Sequence, residues 1–357
     1  MQNVLVKSLR RFTLGIWWLC LFALPARAAF SNLYVFGDGI CTTTNGPGGQ
    51  YYYGQRYSNG RVWVEVLAQW QGLSYDSNKN WSYFGHYSPA LLTNLSHFAP
   101  PSDANSALFV VWVDDADFVW NVEHYGTDLT QWTNAIQQSL ANHYTAITNL
   151  YYTKGARSLV MPNAVDISKT PYYSGLPSAN KDFIRQRTIE FNTAFLTTLS
   201  QARAALPGIT INSPDVFSLF DQMLSQAAYF GLTNAGIDAL EDQSLSPWTL
   251  SGPGANYVFW DYLDPTAKAH MALADLVQQL ISPAYITQLT LLGASNQLVA
   301  ANLPVGRNGA VLGSDILSSW TSVGPIESSS QSQSIFVPAA GSQFFYRLQF
   351  PLTWSWP

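Results

Sequence analysis

The run Val35-Phe36-Gly37-Asp38-Gly39-Ile40 decides which fold the chain builds. It completes a stretch of four consecutive apolar residues that begins at Leu33 and ends at a Gly-Asp-Gly turn. Such an uninterrupted apolar run is typical of a strand that is buried on both faces of a parallel sheet. Open sheets of this kind bind their ligands beyond the carboxyl ends of the strands. We therefore expect a functional site around Asp38 and Gly39.

Apolar strands and amphipathic helices alternate along the chain after this run. The alternation predicts a three-layer α/β/α domain with a parallel sheet and right-handed crossovers. The predicted strands cover residues 33–36, 107–113, 157–161 and 209–211. The first predicted helix begins at Thr127 or Asp128 and ends at Tyr151. The other two cover residues 181–205 and 266–281, and the inward residues of the earlier one are Ile184, Ile189, Phe191, Phe195 and Leu199.

The N-terminus has the features of a secretory signal peptide over residues 1–28. Basic residues precede an apolar stretch over residues 13–24, and Ala26-Arg27-Ala28 has the small-x-small pattern of a cleavage site. We therefore expect an exported bacterial protein that is secreted, periplasmic or held at the cell surface. The alternative is an uncleaved N-terminal anchor. No later stretch has the length of a membrane helix, so we expect no membrane span in the mature chain.

The composition limits the partners and the domain organisation of the chain. Only 11% of the residues are charged, 14% are aromatic, and the net charge is −5. Nucleic-acid binding needs basic stripes, so we expect no nucleic-acid partner. After residue 282 the pattern changes to short β-rich segments separated by turns. We predict an α/β domain over 29–282 and a β-sandwich-like module over 283–357, with strands at 288–292, 311–312, 334–337 and 344–350.

Two motifs resemble those of the SGNH ester hydrolases, also called the GDSL family. Phe36-Gly37-Asp38-Gly39-Ile40 is similar to the family's Gly-Asp-Ser-Leu signature. Asp261-Tyr262-Leu263-Asp264-Pro265-Thr266 is similar to its Asp-x-x-His-Pro-Thr block. The resemblance covers residues 32–282 and implies a flavodoxin-like three-layer fold that hydrolyses carboxylic esters through a serine nucleophile. Three further segments resemble the secreted bacterial lipase-like branch, namely residues 155–157, 161–163 and 229–234.

The resemblance assigns three catalytic positions, and two of them carry a different residue in this chain. Gly39 stands at the serine nucleophile, Asp264 at the histidine base and Asp261 at the acid. Glycine has no hydroxyl, and loss of the nucleophile or the base alone removes nearly all of the serine-dependent rate. We therefore expect ester hydrolysis to be absent or strongly reduced. The resemblance implies a small or polymeric ester as substrate or ligand, without a cofactor or a metal.

The resemblance also assigns an oxyanion hole, the set of donors that stabilises the negative charge of the transition state. It assigns the backbone N–H groups of Gly39 and of Gly85, the last residue of the stretch Asn80–Gly85. The family's asparagine aligns with Ala116 without a gap and with Asp114 in a shifted alignment. Neither residue supplies an amide, and an ionised carboxylate at this place would oppose an oxyanion.

Other chemistries stay open at the same site. Cys41 has no partner for a disulfide once residues 1–28 are removed, and its thiol would be a substitute nucleophile only beside a base. His86 and His270 are candidates for a substitute base, although packing is the simpler explanation of each. A cluster of aspartates would bind a hard cation or cleave a glycoside as an acid–base pair. Its members are Asp38, Asp114, Asp115, Asp117, Asp261 and Asp264.

The alternative to an enzyme is a secreted binding protein without catalytic activity. Such a protein would hold a glycan or an apolar ester in the former catalytic cleft. Trp112, Trp120 and Trp260 are the candidates for an aromatic rim, although core positions are the simpler explanation of these residues.

Overall fold

The computed structural model describes residues 30–339 and 344–351, so the predicted signal peptide lies outside the described residues. The main sheet has four parallel strands in the order β1-β2-β3-β4. The predicted strands are therefore confirmed, although β2 and β3 are shorter than their apolar runs. The strands are β1 (Leu33–Gly37), β2 (Leu108–Trp112), β3 (Ser158–Val160) and β4 (Thr210–Asn212).

Helices cover both faces of this sheet. Alternate residues of β1 enter two different apolar clusters, because successive side chains of a strand point to opposite faces. Tyr34 and Phe36 pack with α2 to α5, whereas Leu33 and Val35 pack with α1, α6 and α7. The result is the three-layer α/β/α arrangement that the sequence predicts. The helices are α1 (Trp63–Trp70), α2 (Ser88–His97), α3 (Asp114–Tyr125), α4 (Leu129–Tyr152), α5 (Ser178–Ala205), α6 (Val216–Ser225) and α7 (Ala267–Ile281).

The three predicted helices are confirmed as α4, α5 and α7. The prediction for α5 is wrong in two details. The helix begins three residues before Lys181, at Ser178, and Ile189 is 39% exposed rather than inward. Four helices were missed, and α3 is the most important of them, because it starts at Asp114 directly after β2.

The C-terminal region is an antiparallel β-rich unit. Its six described strands form two three-stranded sheets, in the orders β10-β7-β8 and β5-β6-β9. Both sheets contribute to one apolar cluster that contains Leu298, Val311, Ile326 and Ile335. The sequence missed β6 and β8, and the boundary at residue 283 stays a prediction. The strands are β5 (Tyr285–Leu291), β6 (Ser295–Ala301), β7 (Asn308–Ser314), β8 (Thr321–Glu327), β9 (Ser332–Pro338) and β10 (Phe345–Gln349).

Arg307 attaches this unit to the α/β domain. Its guanidinium forms an ion pair with Asp275 of α7 and lies 4.7 Å from the ring centroid of Trp70 in α1. Val305 N also donates to Trp70 O at 3.1 Å. The two regions are therefore joined at α1 and α7. Within the described part of the chain, no helix combines the length and the apolar character that a membrane crossing requires.

The start of α4 gives a test of stability. Asp128 caps the helix, because its Oδ1 accepts from Thr130 N at 2.9 Å and from Gln131 N at 3.1 Å. We expect Asp128→Ala to lose about 1 kcal/mol of unfolding free energy, or roughly 2–4 °C of Tm, measured by circular dichroism. The matched control is Thr127→Ala, since Thr127 makes no side-chain hydrogen bond with any described residue. Equal losses in the two variants would contradict the assignment of the cap.

Candidate active site

The carboxyl ends of β1 and β2 bring the Asp38–Gly39 turn and the acidic start of α3 together. Asp38 N donates to Trp112 O at 3.1 Å, which continues the β1–β2 pairing by one residue. Residues 39–41 then form a single 3-10 turn, and Asp38 Oδ1 accepts from Ile40 N at 3.2 Å at its start. Because α3 begins immediately after β2, its first residues lie beside this turn.

The segment over residues 80–86 is joined to β1 by three hydrogen bonds. Trp81 N donates to Val35 O at 2.8 Å, and Gly37 N donates to Ser82 Oγ at 2.9 Å. His86 Nδ1–H donates to Gly37 O at 2.8 Å. These bonds fix the loop that carries Gly85 against the turn that carries Gly39.

Two backbone N–H groups of the cleft are free to bind a ligand. Gly39 N and Gly85 N donate to no acceptor among the described residues, and both glycines line one cleft. Gly85 has φ +73, in the left-handed region that favours glycine, whereas Gly39 lies outside that region. A side chain at residue 39 would therefore meet no backbone strain.

A side chain at Gly39 would point toward Asp264. A Cβ atom built on Gly39 lies 3.5 Å from Asp264 Oδ1, 3.7 Å from Tyr57 Cδ2 and 3.1 Å from Phe84 Cδ2. The contact with Phe84 is tight, so its exposed ring must give way by a few tenths of an ångström. The structure thus brings residues 39 and 264, which are remote in sequence, within reach of one hydroxyl-bearing side chain.

Asp261 is held by three donors beside Asp264. Its Oδ1 accepts from Asp264 N at 2.8 Å and from Leu263 N at 3.0 Å, and its Oδ2 accepts from Tyr52 O–H at 3.1 Å. Burial raises the pKa of Asp261 to about 6, against the opposing effect of the backbone donors. Burial, reinforced by the charge of Asp261, raises the pKa of Asp264 well above its ordinary value. Asp264 therefore favours its neutral acid form.

The start of α3 places its acidic residues in different surroundings. Ala116 and Asp115 line the cleft, and Asp115 Oδ1 accepts from Val165 N at 2.8 Å. Asp114 does not line the cleft, is 1% exposed, and its two carboxyl oxygens have no hydrogen-bond partner among the described residues. Burial and the charge of Asp115 raise the pKa of Asp114 well above its ordinary value. The sequence pattern missed the role of Asp115 in the cleft wall.

The substitute nucleophile and bases have structural tasks instead. Burial raises the pKa of the Cys41 thiol well above its usual range, and the thiol packs against Gly37 away from the cleft. Burial lowers the pKa of His86 to about 4, and its Nε2 accepts from Asn94 Nδ2 at 3.2 Å. Burial also lowers the pKa of His270 to about 3, and its Nδ1 accepts from Trp63 N at 3.3 Å. None of these groups faces Gly39.

The aromatic rim expected from the sequence is wrong in its members. Trp112 and Trp260 are buried in the core, where Trp260 Nε1 donates to Tyr51 O at 2.8 Å. Trp120 is exposed but does not line the cleft. Phe84 lines the cleft instead, and the Tyr57 ring lies beside it, with the two ring centroids 5.3 Å apart. No periodicity in the sequence marks these two residues.

The cleft itself has a volume of about 100 Å³ and mostly apolar walls. A second apolar cavity of about 50 Å³ shares Ile40, Val165, Thr170 and Leu263 with it. In the described part of the chain, no three His, Cys, Asp or Glu residues are grouped so that they could hold a metal ion. Of the six aspartates in the predicted cluster, Asp38, Asp115 and Asp264 line this cleft, whereas the other three do not. The apolar residues of the cleft wall are Ile40, Phe84, Val119, Val165, Ile167 and Leu263.

Comparison with known families agrees with this architecture. Residues 33–277, more than half of the chain, match the sequence model of the family described as GDSL-like Lipase/Acylhydrolase. The chain belongs to this GDSL family. Its parallel sheet with helices on both faces is therefore the scaffold of a GDSL esterase or lipase, extended by the C-terminal β-rich region.

Individual relatives are distant. A GDSL esterase/lipase of Arabidopsis thaliana is 26% identical over 144 residues, which are 38% of this chain and 38% of that protein. The match thus spans well under half of the plant protein's length. A catalytic mutant of an acetylxylan esterase from Geobacillus stearothermophilus is 14% identical, with a TM-score of 0.43 over 72% of this chain and 96% of that chain. A lipase from a goat rumen metagenome is 12% identical, with a TM-score of 0.39 over 69% and 95%.

The buried Asp114 carboxyl of this GDSL chain gives a test of pH dependence. Above the ordinary pKa of an aspartate the unfolded chain releases a proton that folded Asp114 retains, so rising pH lowers the stability of the parent protein. The Asp114→Asn variant has no carboxyl at this position, so its stability does not fall with rising pH for this reason. We expect the stability of the variant relative to the parent, measured through Tm, to rise between pH 5 and pH 8, by about 1.4 kcal/mol for each pH unit over which folded Asp114 keeps its proton.

The control for this test is Asp182→Asn, which changes an exposed aspartate near the start of α5. Its Tm difference from the parent should stay constant over the same range. A difference for Asp114→Asn that stays flat with pH, or that shrinks as the pH rises, would show that folded Asp114 is already ionised at pH 5.

Proposed function

We propose that this GDSL-family chain binds carboxylic esters in the cleft at the carboxyl edge of its sheet and hydrolyses them at a strongly reduced rate. One observation carries the proposal. The Cβ position of Gly39 lies 3.5 Å from Asp264 Oδ1, so a hydroxyl on that carbon would be within reach of residue 264, yet residue 39 has no hydroxyl and residue 264 has no imidazole.

The ester class follows from what the cleft offers. The free N–H groups of Gly39 and Gly85 suit the carbonyl oxygen of an ester, since backbone donors stabilise the charge that develops there. The apolar walls suit an acyl group, and the adjoining cavity of about 50 Å³ leaves room for the acyl chain beyond the ester carbonyl. Ester binding therefore does not depend on the two replaced residues.

The serine route fails at two steps. No acyl-enzyme forms, because residue 39 has no oxygen to attack the ester carbon. Asp264 in its neutral form accepts no proton from a nucleophile, and this form is favoured by burial. The remaining rate comes from binding and from the oxyanion donors alone. In the alternative, a non-catalytic binding protein, the same cleft holds its ester without turnover. Residues 1–28 support export as the setting for either role.

The test is to restore both missing groups. Loss of a whole triad costs about 10⁶-fold in kcat, and the missing amide at the third oxyanion position costs about 10²–10³-fold. We therefore expect the double variant Gly39→Ser with Asp264→His to raise kcat/KM on p-nitrophenyl butyrate by on the order of 10³-fold over the parent. Each single variant should gain far less, because the nucleophile and the base act as a unit.

The matched control is Gly39→Ala with Asp264→His, which fills the same space without a hydroxyl. Asp261→Ala added to the double variant should abolish the restored activity. Fast hydrolysis by the parent chain that disappears in Asp261→Ala would overturn the proposal of reduced catalysis. Ester binding by the parent, measured by protection against thermal unfolding, together with inactive double variants would favour the binding protein.

A further inference from the structure

A second cavity lies on the side of α3 that faces away from the ester cleft. It is enclosed by the start of α2, by α3 and by α4, and we call it the helix groove. Its volume is about 310 Å³, against about 100 Å³ for the ester cleft, and no residue lines both. Small-molecule sites span about 300–1,000 Å³, so the helix groove reaches the size of a ligand site.

The walls of the helix groove are rich in neutral amides. Amide groups both donate and accept hydrogen bonds without carrying charge, which suits a ligand covered with hydroxyl groups. None of the described residues that line the groove is basic, so an anionic ligand would find no counter-charge. Gln138 Nε2 donates to Asn142 Oδ1 at 2.9 Å, and Asn142 Nδ2 donates to Ser88 Oγ at 3.0 Å. The other three amides disfavour an aliphatic chain, because burying them without partners costs free energy. The amide residues are Asn121, Gln131, Asn134, Gln138 and Asn142.

Among the residues of the groove, Asn121 points most directly to ligand binding. It is only 4% exposed, yet its side-chain amide makes no hydrogen bond with any other described residue. It lies one helical turn after Asp117 on α3, and both residues line the groove. Its amide atoms still reach the solvent of the groove, so a polar ligand can hydrogen-bond with them there.

The floor of the groove is fixed before any ligand arrives. Asp117 accepts from Ser88 N at 2.9 Å through Oδ1 and from the Ser139 hydroxyl through Oδ2. His143 Nδ1–H donates to Ser139 O at 2.8 Å, one turn earlier on α4. This trio is not a catalytic triad, because the Ser139 proton is given to Asp117 and not to a histidine. Its effect is to hold Asp117 and Ser139 rigidly at the base of the groove.

Three aromatic rings stand at the rim. Tyr87 and Trp120 stack with centroids 5.4 Å apart at 7°, and His124 stacks on Trp120 at 3.7 Å. Trp120 is nevertheless 42% exposed, and Tyr125 also lines the groove. Large aromatic side chains held in one orientation offer apolar contact area beside a polar tip. Because Tyr87 and His124 stack on the Trp120 ring, the rim offers a sugar the exposed edge of Trp120 and the Tyr125 side chain.

We propose that the helix groove is a binding site for a neutral saccharide. The site is separate from the ester cleft, since Ala116 faces the cleft while Asp117, the next residue of α3, belongs to the groove. The proposal does not rest on the proposed function. The sequence analysis placed Trp120 at the rim of the catalytic cleft, whereas in this proposal Trp120 contacts the glycan in the helix groove.

The test is a microarray of neutral and acidic oligosaccharides probed with the full chain. Titration calorimetry with the best neutral oligosaccharide follows. The groove variants are Asn121→Leu and Gln138→Leu, and the matched control is Gln137→Leu, an exposed neighbour that does not line the groove. Ala116→Leu narrows the ester cleft and reports on that site. We expect the groove variants to weaken binding at least tenfold and the other two to leave it unchanged.

Each other outcome has a definite meaning. Absence of binding to every neutral glycan, or binding of acidic glycans alone, overturns the proposal. Neutral binding that Ala116→Leu removes and Gln138→Leu leaves intact also overturns it, because the glycan then sits in the ester cleft. If Asn121→Leu does not fold, exposed Gln138→Leu and Asn134→Leu carry the test, with melting curves to verify that each is native.

Discussion

The parallel pairing of β1 with β2 is the constraint on which the rest of the molecule depends. Its register ends with Gly37 opposite Trp112, and the next bond, from Asp38 N to Trp112 O, holds the turn at Gly39 beside the start of α3. A shift of one residue would exchange the two faces of β1 and move each of its side chains into the opposite apolar cluster, where it no longer matches its neighbours. The ester cleft is thus a consequence of the core packing that fixes this register.

Much of the fold could be predicted because it follows from long apolar patterns. The runs before Asp38 and Asp114 are buried on both faces, so they have no polar alternation to obscure them. Helix α4 has a strong repeat and a capping Asp128. Helix α3 was missed because its first turn is acidic and its sequence shows no apolar stripe. The strand β6 alternates in burial but opens with three polar residues, and β8 has a single buried residue, Ile326, beside Gly324 and Pro325, which are depleted in strands.

The site could be predicted only where motifs mark the chain. Gly39 and Asp264 lie more than 200 residues apart in the sequence and approach each other only in the tertiary structure. The motif resemblance is the only sequence signal for this approach. No sequence pattern indicated which groups would surround each aspartate. Asp115 meets Val165 N, Asp117 meets Ser88 N, and Asp114 meets no donor among the described residues. Tertiary contacts, rather than spacing, bring Asp38, Asp115 and Asp264 to one cleft and keep the other three aspartates out of its lining.

The two glycines of the cleft differ in how strictly the structure requires a glycine. Gly85 is held by its backbone, since φ +73 excludes most other residues. Gly39 is held by nothing comparable, and the space beside Asp264 is open apart from a movable Phe84 ring. The glycine codons GGT and GGC become serine codons, and every aspartate codon becomes a histidine codon, by one nucleotide change. Neither the backbone at residue 39 nor the space beside it requires a glycine, so the fold itself would tolerate a serine at this position.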